Sequence, residues 1–168
     1  MKKRIIAYSS DHDSLGNAFR MKRFKFLADK LAKFPKPVNI LDVGGTLKYW
    51  EARGFQNNND FIITIINLES SDSPYTNIKI LKGDATNLSN YKDKSFDLAF
   101  SNSVIEHLTV FDKQVLMAKE MIRTGKYYFV QTPNRYFPIE PHFLFPFFQF
   151  LPYSLKYFIL TKTKLSRG

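Results

Sequence analysis

Residues 38–45 read Val-Asn-Ile-Leu-Asp-Val-Gly-Gly, a short apolar run that ends in an acid and two glycines. The run up to Gly44 has the composition of a buried strand that passes into a tight turn. Glycine lets a ligand approach the backbone N–H groups without interference from a side chain. In α/β sheets, ligands bind at the carboxyl ends of the strands. The stretch therefore predicts a strand followed by a loop that binds a small ligand.

Three more apolar runs follow, and each ends in small or polar residues. The β-branched run 61–68 predicts a second buried strand, and Glu69 comes directly after it. Runs at 78–81 and 96–100 predict a third and a fourth strand. An acid after the second strand can accept hydrogen bonds from both hydroxyls of a ribose. These strand ends suit a nucleotide-like ligand laid across the edge of the sheet.

The four segments resemble motifs of the class I S-adenosylmethionine-dependent methyltransferases, in particular the group often called type 11. The matching pieces are ILDVGG at 40–45, INLE at 66–69, GDATNL at 83–88 and FDLAFSNSVIEHL at 96–108, and the resemblance spans residues 15 to 142. It implies an α/β fold with a Rossmann-like, mostly parallel sheet flanked by helices. It also implies S-adenosylmethionine as the cofactor.

The resemblance implies roles for the first loop. Gly44 and Gly45, with Thr46 beside them, would let the backbone approach the methionine part of the cofactor. Asp42 would support the loop and meet the ligand's ammonium, directly or through water. The loop departs from the family pattern, which has a further glycine where residues 47–49 are Leu-Lys-Tyr. A plain turn at the two glycines is the alternative interpretation.

The resemblance also implies roles for the other strand ends. Glu69 would bind the ribose. Asp84 would meet the adenine amino group, and the N–H of Ala85 a ring nitrogen. Ser101 and Asn102 would lie beneath the sulfonium and the methyl. Alternatively, residues 84–86 form only a turn that caps a helix, and residues 101–102 only end a strand.

Methyl transfer from a sulfonium requires positioning and the removal of water more than acid–base chemistry, so no catalytic motif is obligatory. His107 is our candidate for a base, and a hydrogen-bonded structural histidine is the alternative. Glu106 fits a capping box that begins at Ser103. Glu140 and His142 are our candidates for substrate contact. Three widely separated histidines and no cysteine make no recognisable metal motif.

The charge of the chain is concentrated at its two ends. Residues 1–37 hold 10 Lys and Arg against 3 Asp and Glu, residues 38–137 hold 11 of each, and residues 138–168 hold 4 against 1. A basic flank suits an anionic substrate, a membrane surface, RNA or simply water. Because the core is neutral, nucleic acid is a disfavoured partner. We interpret residues 1–37 as a basic segment with a cover helix at 15–34, residues 38–135 as the cofactor-binding core, and residues 136–168 as an aromatic segment of the same domain.

The aromatic segment contains Phe-Leu-Phe-Pro-Phe-Phe-Gln-Phe at residues 143–150. Pro146 and Pro152 argue against a continuous spanning helix. Three interpretations stay open: the segment covers the sheet, lines a pocket for an apolar substrate, or makes peripheral contact with a membrane, with its lysines toward the headgroups.

The last elements predicted are a helix over 113–123, with Val115, Ala118 and Ile122 inward, and a fifth strand over 126–131 after a turn at 124–125. The family normally has seven strands, of which the last two form an antiparallel pair. Nothing after residue 158 has the pattern of two strands, so we expect a fragment or a shortened protein. The open sheet edge would then be able to pair with another chain, which leaves the oligomeric state undetermined.

We therefore expect a methyltransferase that acts on a small-molecule or lipid-like acceptor. The main alternative is a non-catalytic or truncated domain that binds the cofactor or a partner. An RNA or protein methyltransferase is less favoured, as is an NAD-dependent oxidoreductase, which needs a glycine pattern absent from residues 47–49. The apolar run at 5–8 is too short for an export signal, so the expected location is cytoplasmic.

Overall fold

A computed structural model of the chain describes residues 15–134 and 147–162. The chain divides into two compact units: residues 31–132 form one, and residues 1–30 with residues 133–168 form the other. The described helices and strands are α1 (Leu15–Leu31), β1 (Val38–Val43), α2 (Leu47–Glu51), β2 (Phe61–Asn67), β3 (Ile78–Lys82), β4 (Phe96–Asn102), α3 (Phe111–Thr124), β5 (Gly125–Gln131) and α4 (Tyr153–Lys162), with short 3-10 turns at Ile105–His107 and Phe148–Phe150.

The five strands of the 31–132 unit form one sheet in the order β3-β2-β1-β4-β5. Each neighbouring pair is parallel, as the predicted α/β fold requires. The chain builds the sheet outward from β1 to β3, and then returns to the other side of β1 for β4 and β5. The strand order therefore reverses between β1 and β4. Such a reversal opens a crevice at the carboxyl ends of the two strands, where Rossmann-like folds bind ligands.

The apolar runs in the sequence form strands because the central strands are buried on both faces. In β1 every residue but Asn39 is buried, and Leu98 to Ser101 of β4 are buried as well. Fully buried parallel strands have continuous rather than alternating hydrophobicity. On one side of the sheet, the core is a cluster of Leu41, Val43, Ile66, Leu88, Ala99, Met117 and Met121. All five predicted strands are confirmed, with ends shifted by one or two residues.

Helix α3 contributes to this cluster through a different face from the one predicted. Met117, Met121 and Thr124 are its buried residues, whereas Ile122 is 48% exposed. The predicted inward position of Ile122 is therefore wrong. The helix starts two residues earlier than predicted, at Phe111, and the two methionines, four positions apart, carry its core contact.

The predicted turn of the chain at residues 124–125 is confirmed: α3 ends at Thr124, and β5, which is parallel to β4, begins at Gly125 without an intervening loop. Gly125 pairs with Phe96 at the start of the β4–β5 ladder. A Cβ at Gly125 would lie 2.7 Å from the backbone nitrogen of Ala99. The glycine thus also allows close packing of the two strands.

The opposite side of the sheet is packed with aromatic rings around Trp50, the single tryptophan of the chain. Its ring centroid lies 5.0 Å from that of Phe55 and 5.4 Å from that of Phe100. Phe55 in turn lies 4.6 Å from Phe61. Ring pairs at such distances contribute attraction beyond the burial of their surface. This packing fixes α2 directly after the glycine turn.

A buried amide ties the loop before β2 to the start of β3. The side-chain nitrogen of Asn77 donates to the carbonyls of Phe55, Asn58 and Phe61 at 2.8 to 3.1 Å. Its Oδ1 accepts a hydrogen bond from the N–H of Asn57 at 3.1 Å. Because these backbone groups are buried or partly buried, one side chain supplies hydrogen bonds that water cannot.

Strand β5 forms one edge of the sheet, and none of the described residues pairs with its outer side. Tyr127, Tyr128 and Val130 of this strand are exposed. The other edge, β3, is met by an isolated antiparallel bridge between Ser71 and Ile80. Pairing of the β5 edge with another chain stays a prediction.

In the other unit, α1 confirms that the segment predicted as a helix over residues 15–34 is helical, although the helix ends at Leu31. Phe24 and Leu27 are buried, whereas the basic side chains of Lys22, Arg23 and Lys25 are exposed. On α4, by contrast, Tyr153, Tyr157 and Phe158 are exposed. Within residues 15–134 and 147–162, no helix is both long and apolar enough to cross a membrane. The three interpretations of the aromatic segment stay open.

Candidate functional site

A pocket of about 220 Å³ lies at the carboxyl ends of β1 and β4, where the strand order reverses. It is lined by Asp42, Gly44, Gly45, Thr46, Tyr49, Phe100, Asn102 and Ser103. Five of these residues were predicted to bind cofactor. Tyr49, Phe100 and Ser103 were not, because an aromatic residue in an apolar run and a serine in a loop carry no specific signal.

Gly44 makes the turn that leaves β1. Its φ angle is +81°, a conformation that side chains disfavour. A Cβ at this position would lie 2.5 Å from a methyl carbon of Val104. The N–H of Gly44 donates to the carbonyl of Ile66 at 2.7 Å, so this group holds the turn against β2.

Gly45 lies directly against the Asp42 side chain. A Cβ at Gly45 would be 1.7 Å from Oδ2 of Asp42, which is far inside contact distance. Only a residue without a side chain fits over this carboxylate. The second glycine of the motif thus allows the chain to close over a buried acid.

The Asp42 carboxylate is fully buried. Its Oδ2 accepts a hydrogen bond of 2.7 Å from the indole nitrogen of Trp50. Its Oδ1 has no hydrogen-bond partner among the described residues. Burial raises the pKa of Asp42 to about 7, and the hydrogen bond from Trp50 opposes that rise. The side chain is therefore an acceptor that gains from any additional donor or positive charge in the pocket.

Asn102, at the end of β4, presents a second acceptor of the same kind. Its Oδ1 is buried and has no hydrogen-bond partner among the described residues. The neighbouring Ser101 is different, because it is fully buried and its hydroxyl donates to the carbonyl of Val43 at 2.9 Å. Ser103, rather than Ser101, lines the pocket. The predicted place of Ser101 beneath the sulfonium stays a prediction.

The loop that follows Gly45 is short because α2 begins at Leu47. Thr46 occupies the N-cap position with an extended backbone and makes no side-chain capping hydrogen bond. Tyr49, on α2, presents its ring to the pocket, and the guanidinium carbon of Arg53 lies 3.5 Å from the centre of that ring. Where the family pattern has a third glycine, this chain has already entered α2.

Asn67, the last residue of β2, holds the loop from the other side. Its side-chain nitrogen donates to the carbonyl of Gly45 at 2.9 Å, and its Oδ1 accepts from the N–H of Leu68 at 2.8 Å. The sequence contained a signal for this contact, since an asparagine ended an otherwise apolar strand. Glu69 follows two residues later and is exposed outside the pocket lining.

Asp84 and Ala85 lie in a turn after β3, also outside the pocket lining. Oδ1 of Asp84 accepts hydrogen bonds from the backbone nitrogen and the hydroxyl of Thr86, both at 2.8 Å. These two hydrogen bonds hold the pKa of Asp84 below its usual value. The turn closes with a bridge from Asp84 to Asn87, and no helix begins there. The adenine contacts stay predictions.

The predicted capping box at residues 103–106 is wrong. Residues 105–107 form a 3-10 turn whose N-cap is Val104, without a side-chain capping hydrogen bond. Ser103 has a φ of +57°, and its N–H donates to the carbonyl of Gln131 at 2.8 Å, so it is not available for a helix. Glu106 instead accepts a hydrogen bond from the hydroxyl of Thr132 at 3.2 Å.

His107 is exposed in the same 3-10 turn and does not line the pocket. Its role as a base stays a prediction. Glu140 and His142 lie outside the described residues. In the part of the chain that the structure describes, no three His, Cys, Asp or Glu side chains are grouped so that they would hold a metal ion.

A family model described as a methyltransferase domain matches residues 48–130. Over 56 residues, the chain is 43% identical to an uncharacterised protein of Mycobacterium tuberculosis strain H37Rv. That match covers 33% of this chain and only 19% of the other protein.

The fold is similar to that of a solved S-adenosylmethionine-dependent methyltransferase from Aquifex aeolicus, with a TM-score of 0.52 at 11% identity. That likeness covers 82% of this chain and 76% of the other. The fold is also similar to that of the [4+2]-cyclase SpnF, with a TM-score of 0.52 at 18% identity. That likeness covers 73% of this chain and 49% of the cyclase. S-adenosylmethionine is the cofactor of the methyltransferase family. The family match and the shared fold together show that this chain carries a class I S-adenosylmethionine-dependent methyltransferase domain.

Proposed function

We propose that the chain binds S-adenosylmethionine in the pocket between β1 and β4 and transfers its methyl group to a small-molecule or lipid-like acceptor. One observation carries the proposal: two buried acceptor oxygens, Oδ1 of Asp42 and Oδ1 of Asn102, belong to residues that line the same pocket, and neither has a partner among the described residues. Buried acceptors without a donor are costly unless a ligand supplies one.

The chemistry of these two acceptors fits the amino-acid end of the cofactor. An ammonium group offers three N–H donors and a positive charge, and a carboxylate with an amide oxygen suits both. No lysine or arginine is among the residues that line the pocket. A cationic group of the ligand would therefore meet no like charge from the lining residues.

The remaining residues of the proposed site have simpler tasks. The glycine turn over Asp42 would allow close approach of the backbone, and Thr46 would line the loop. The rings of Tyr49 and Phe100 would exclude water from the pocket. Glu69 would accept from the ribose, while Asp84 and the N–H of Ala85 would meet the adenine at the next strand end.

When bound, S-adenosylmethionine supplies a methyl group that is already activated for displacement. The protein would hold the acceptor in line and keep water out. A base is required only for an acceptor that must lose a proton, and exposed His107 is our candidate for that task. The exposed aromatic side chains of α4 support peripheral contact with a membrane surface.

The fold alone does not carry the proposal, since a [4+2]-cyclase shares it and one fold hosts many reactions. The test is in two steps. Equilibrium titration with S-adenosylhomocysteine should show binding at one site, with NADH as the control that does not bind. Labelled S-adenosylmethionine and a panel of small-molecule and lipid acceptors should then show transfer of the methyl group. Binding without transfer to any acceptor would favour a domain that only binds the cofactor.

A further inference from the structure

We infer that Trp50 is a positioning residue of the cofactor site: its indole N–H holds Oδ2 of Asp42 so that Oδ1 stays free for a cationic group of the ligand. The inference rests on the proposed function, because it assigns a task to a residue behind the same pocket. Trp50 itself is fully buried and is not among the lining residues. It would act on the ligand only through Asp42.

The geometry leaves Trp50 little freedom. Its ring is held by Tyr49, Phe55 and Phe100, with centroid distances of 5.0 to 5.4 Å. The indole nitrogen is a donor and never an acceptor. It can therefore satisfy Oδ2 of Asp42 in one orientation only, which also fixes the direction of Oδ1. A flexible donor such as lysine would not impose that orientation.

The contact also bears on the charge of Asp42. A cationic ligand needs the ionised carboxylate, yet burial favours the protonated form. The described hydrogen bond to this carboxylate is the one from Trp50. Tyr49, on α2, is the other titratable side chain that lines the pocket, and β4 contributes Phe100 and Asn102, which carry no charge. No cation is among the lining residues; the guanidinium of Arg53 stacks on the Tyr49 ring, and the hydrogen bond from Trp50 favours ionisation of Asp42.

The single tryptophan provides a direct readout. In a ¹⁵N-labelled protein, Trp50 gives the one indole N–H resonance, so no assignment experiment is needed. Because this N–H donates to Asp42, the resonance reports the protonation state of that carboxyl group. We expect this resonance to move with pH near neutrality in the wild-type chain and to stay constant in Asp42→Asn. Saturation with S-adenosylhomocysteine should move the midpoint to lower pH by at least one unit, because a cationic partner favours the carboxylate. A resonance that responds neither to pH nor to the ligand would overturn the inference.

Substitution gives the second measurement. Trp50→Phe keeps a ring but removes the N–H. We expect affinity for S-adenosylhomocysteine to fall about tenfold at pH 7, as for loss of one charge-assisted hydrogen bond. The loss should shrink toward pH 9, where Asp42 is ionised without help. Unchanged affinity and an unchanged pH profile in folded Trp50→Phe would overturn the inference and leave the proposed function intact.

Phe55→Leu is the matched control, because Phe55 packs on the Trp50 ring and a phenyl side chain has no hydrogen-bond donor to offer a carboxylate. It should lower stability without moving the pH midpoint of binding. An equal shift of the midpoint in Phe55→Leu would indicate that packing alone matters, and would overturn a specific role for the N–H. No binding by the wild-type chain would instead overturn the proposed function, and with it the role assigned to Trp50.

Discussion

The indole nitrogen of Trp50 donates to Oδ2 of Asp42 over 2.7 Å, and both side chains are fully buried. Gly45 closes over the same oxygen, with no room for a Cβ. The acid of the first motif is therefore held from two directions by residues three and eight positions later in the chain. This arrangement places one carboxylate oxygen, without a partner among the described residues, at the pocket where the strand order reverses.

The buried acid should make stability depend on pH. The pKa of Asp42 is raised from 3.8 to about 7 in the folded chain. Between these values the unfolded chain releases a proton that the folded chain keeps, so folding stability falls as pH rises from about 4 to about 7 and is level above. Asp42→Asn has no such proton to keep, so its free energy of unfolding should not fall in this way. Relative to wild type, we expect that free energy to rise by up to about 4 kcal/mol between pH 4 and pH 7.

Urea denaturation at a series of pH values measures this difference. Asp72→Asn, which alters an exposed carboxylate, is the control and should follow the wild-type curve. If Asp42→Asn also follows the wild-type curve, the carboxylate is ionised in the folded chain at acidic pH, and our description of it is wrong.

The second glycine should be intolerant of any side chain. Gly45→Ala places a carbon 1.7 Å from Oδ2 of Asp42, so the carboxylate or the loop must move. We expect binding of S-adenosylhomocysteine to weaken at least about tenfold, since the hydrogen bond to Trp50 is lost with the displacement.

Gly54→Ala is the matched control. Gly54 has a φ of +75°, but nothing lies within 4 Å of the added carbon. It should cost about 1–2 kcal/mol of stability from backbone strain alone and leave binding unchanged. Equal effects of the two substitutions on binding, measured by calorimetry on folded protein, would argue against a specific fit of Gly45 over Asp42.

Glu69 provides the test of the ribose contact. Glu69→Ala should weaken binding of S-adenosylhomocysteine by about tenfold or more, because two hydroxyls would lose a charged acceptor. Asp72→Ala is the control, because Asp72 is an exposed carboxylate that also follows β2, three residues after Glu69. This variant should bind S-adenosylhomocysteine as wild type does. Competition by adenosine, which carries the ribose but no amino-acid part, should also be lost in Glu69→Ala; retained competition would place the ribose elsewhere.

Asn77 should be required for stability rather than binding. Asn77→Ala leaves the carbonyls of Phe55 and Phe61 without the donor that they share in the folded chain. We expect a loss of about 3 kcal/mol in the free energy of unfolding, with little change in ligand affinity once the protein is folded. Asn90→Ala, at an exposed turn position, is the comparison and should change stability by less than about 0.5 kcal/mol. A similar small change in Asn77→Ala would show that water replaces the amide.

The strands were predictable because burial on both faces leaves continuous apolar runs in the sequence. The resemblance implied a mostly parallel sheet, whereas the order of its strands came from the structure. The predicted capping box failed because tertiary contacts overrode the local pattern. Ser103 and Glu106 have the spacing of a capping box, but the N–H of Ser103 belongs to the ladder with Gln131. At Gly125 the chain turns as predicted, and the close approach to Ala99 gives the glycine a second purpose that sequence reasoning missed.

The candidate site was predictable in its acid, its glycines and Asn102, since these positions match a motif. Trp50 was not, because its contact with Asp42 spans eight residues across a turn and follows no helical or strand period. The contact of Asn67 could have been predicted, because this residue is a polar side chain at the end of a mainly apolar strand. Glu69, Asp84 and His107 are exposed and lie outside the pocket lining. Their predicted contacts depend on where a bound ligand extends, which sequence patterns do not determine.

Calorimetric titration of the purified chain with S-adenosylhomocysteine at pH 8 is the most direct measurement, with circular dichroism on the same sample to establish that it is folded. The proposed site predicts one binding site of micromolar affinity, no heat from NADH, and weaker binding in Gly45→Ala and Glu69→Ala. A folded wild-type chain that gives no binding heat at two temperatures would contradict the claim that this pocket holds the cofactor.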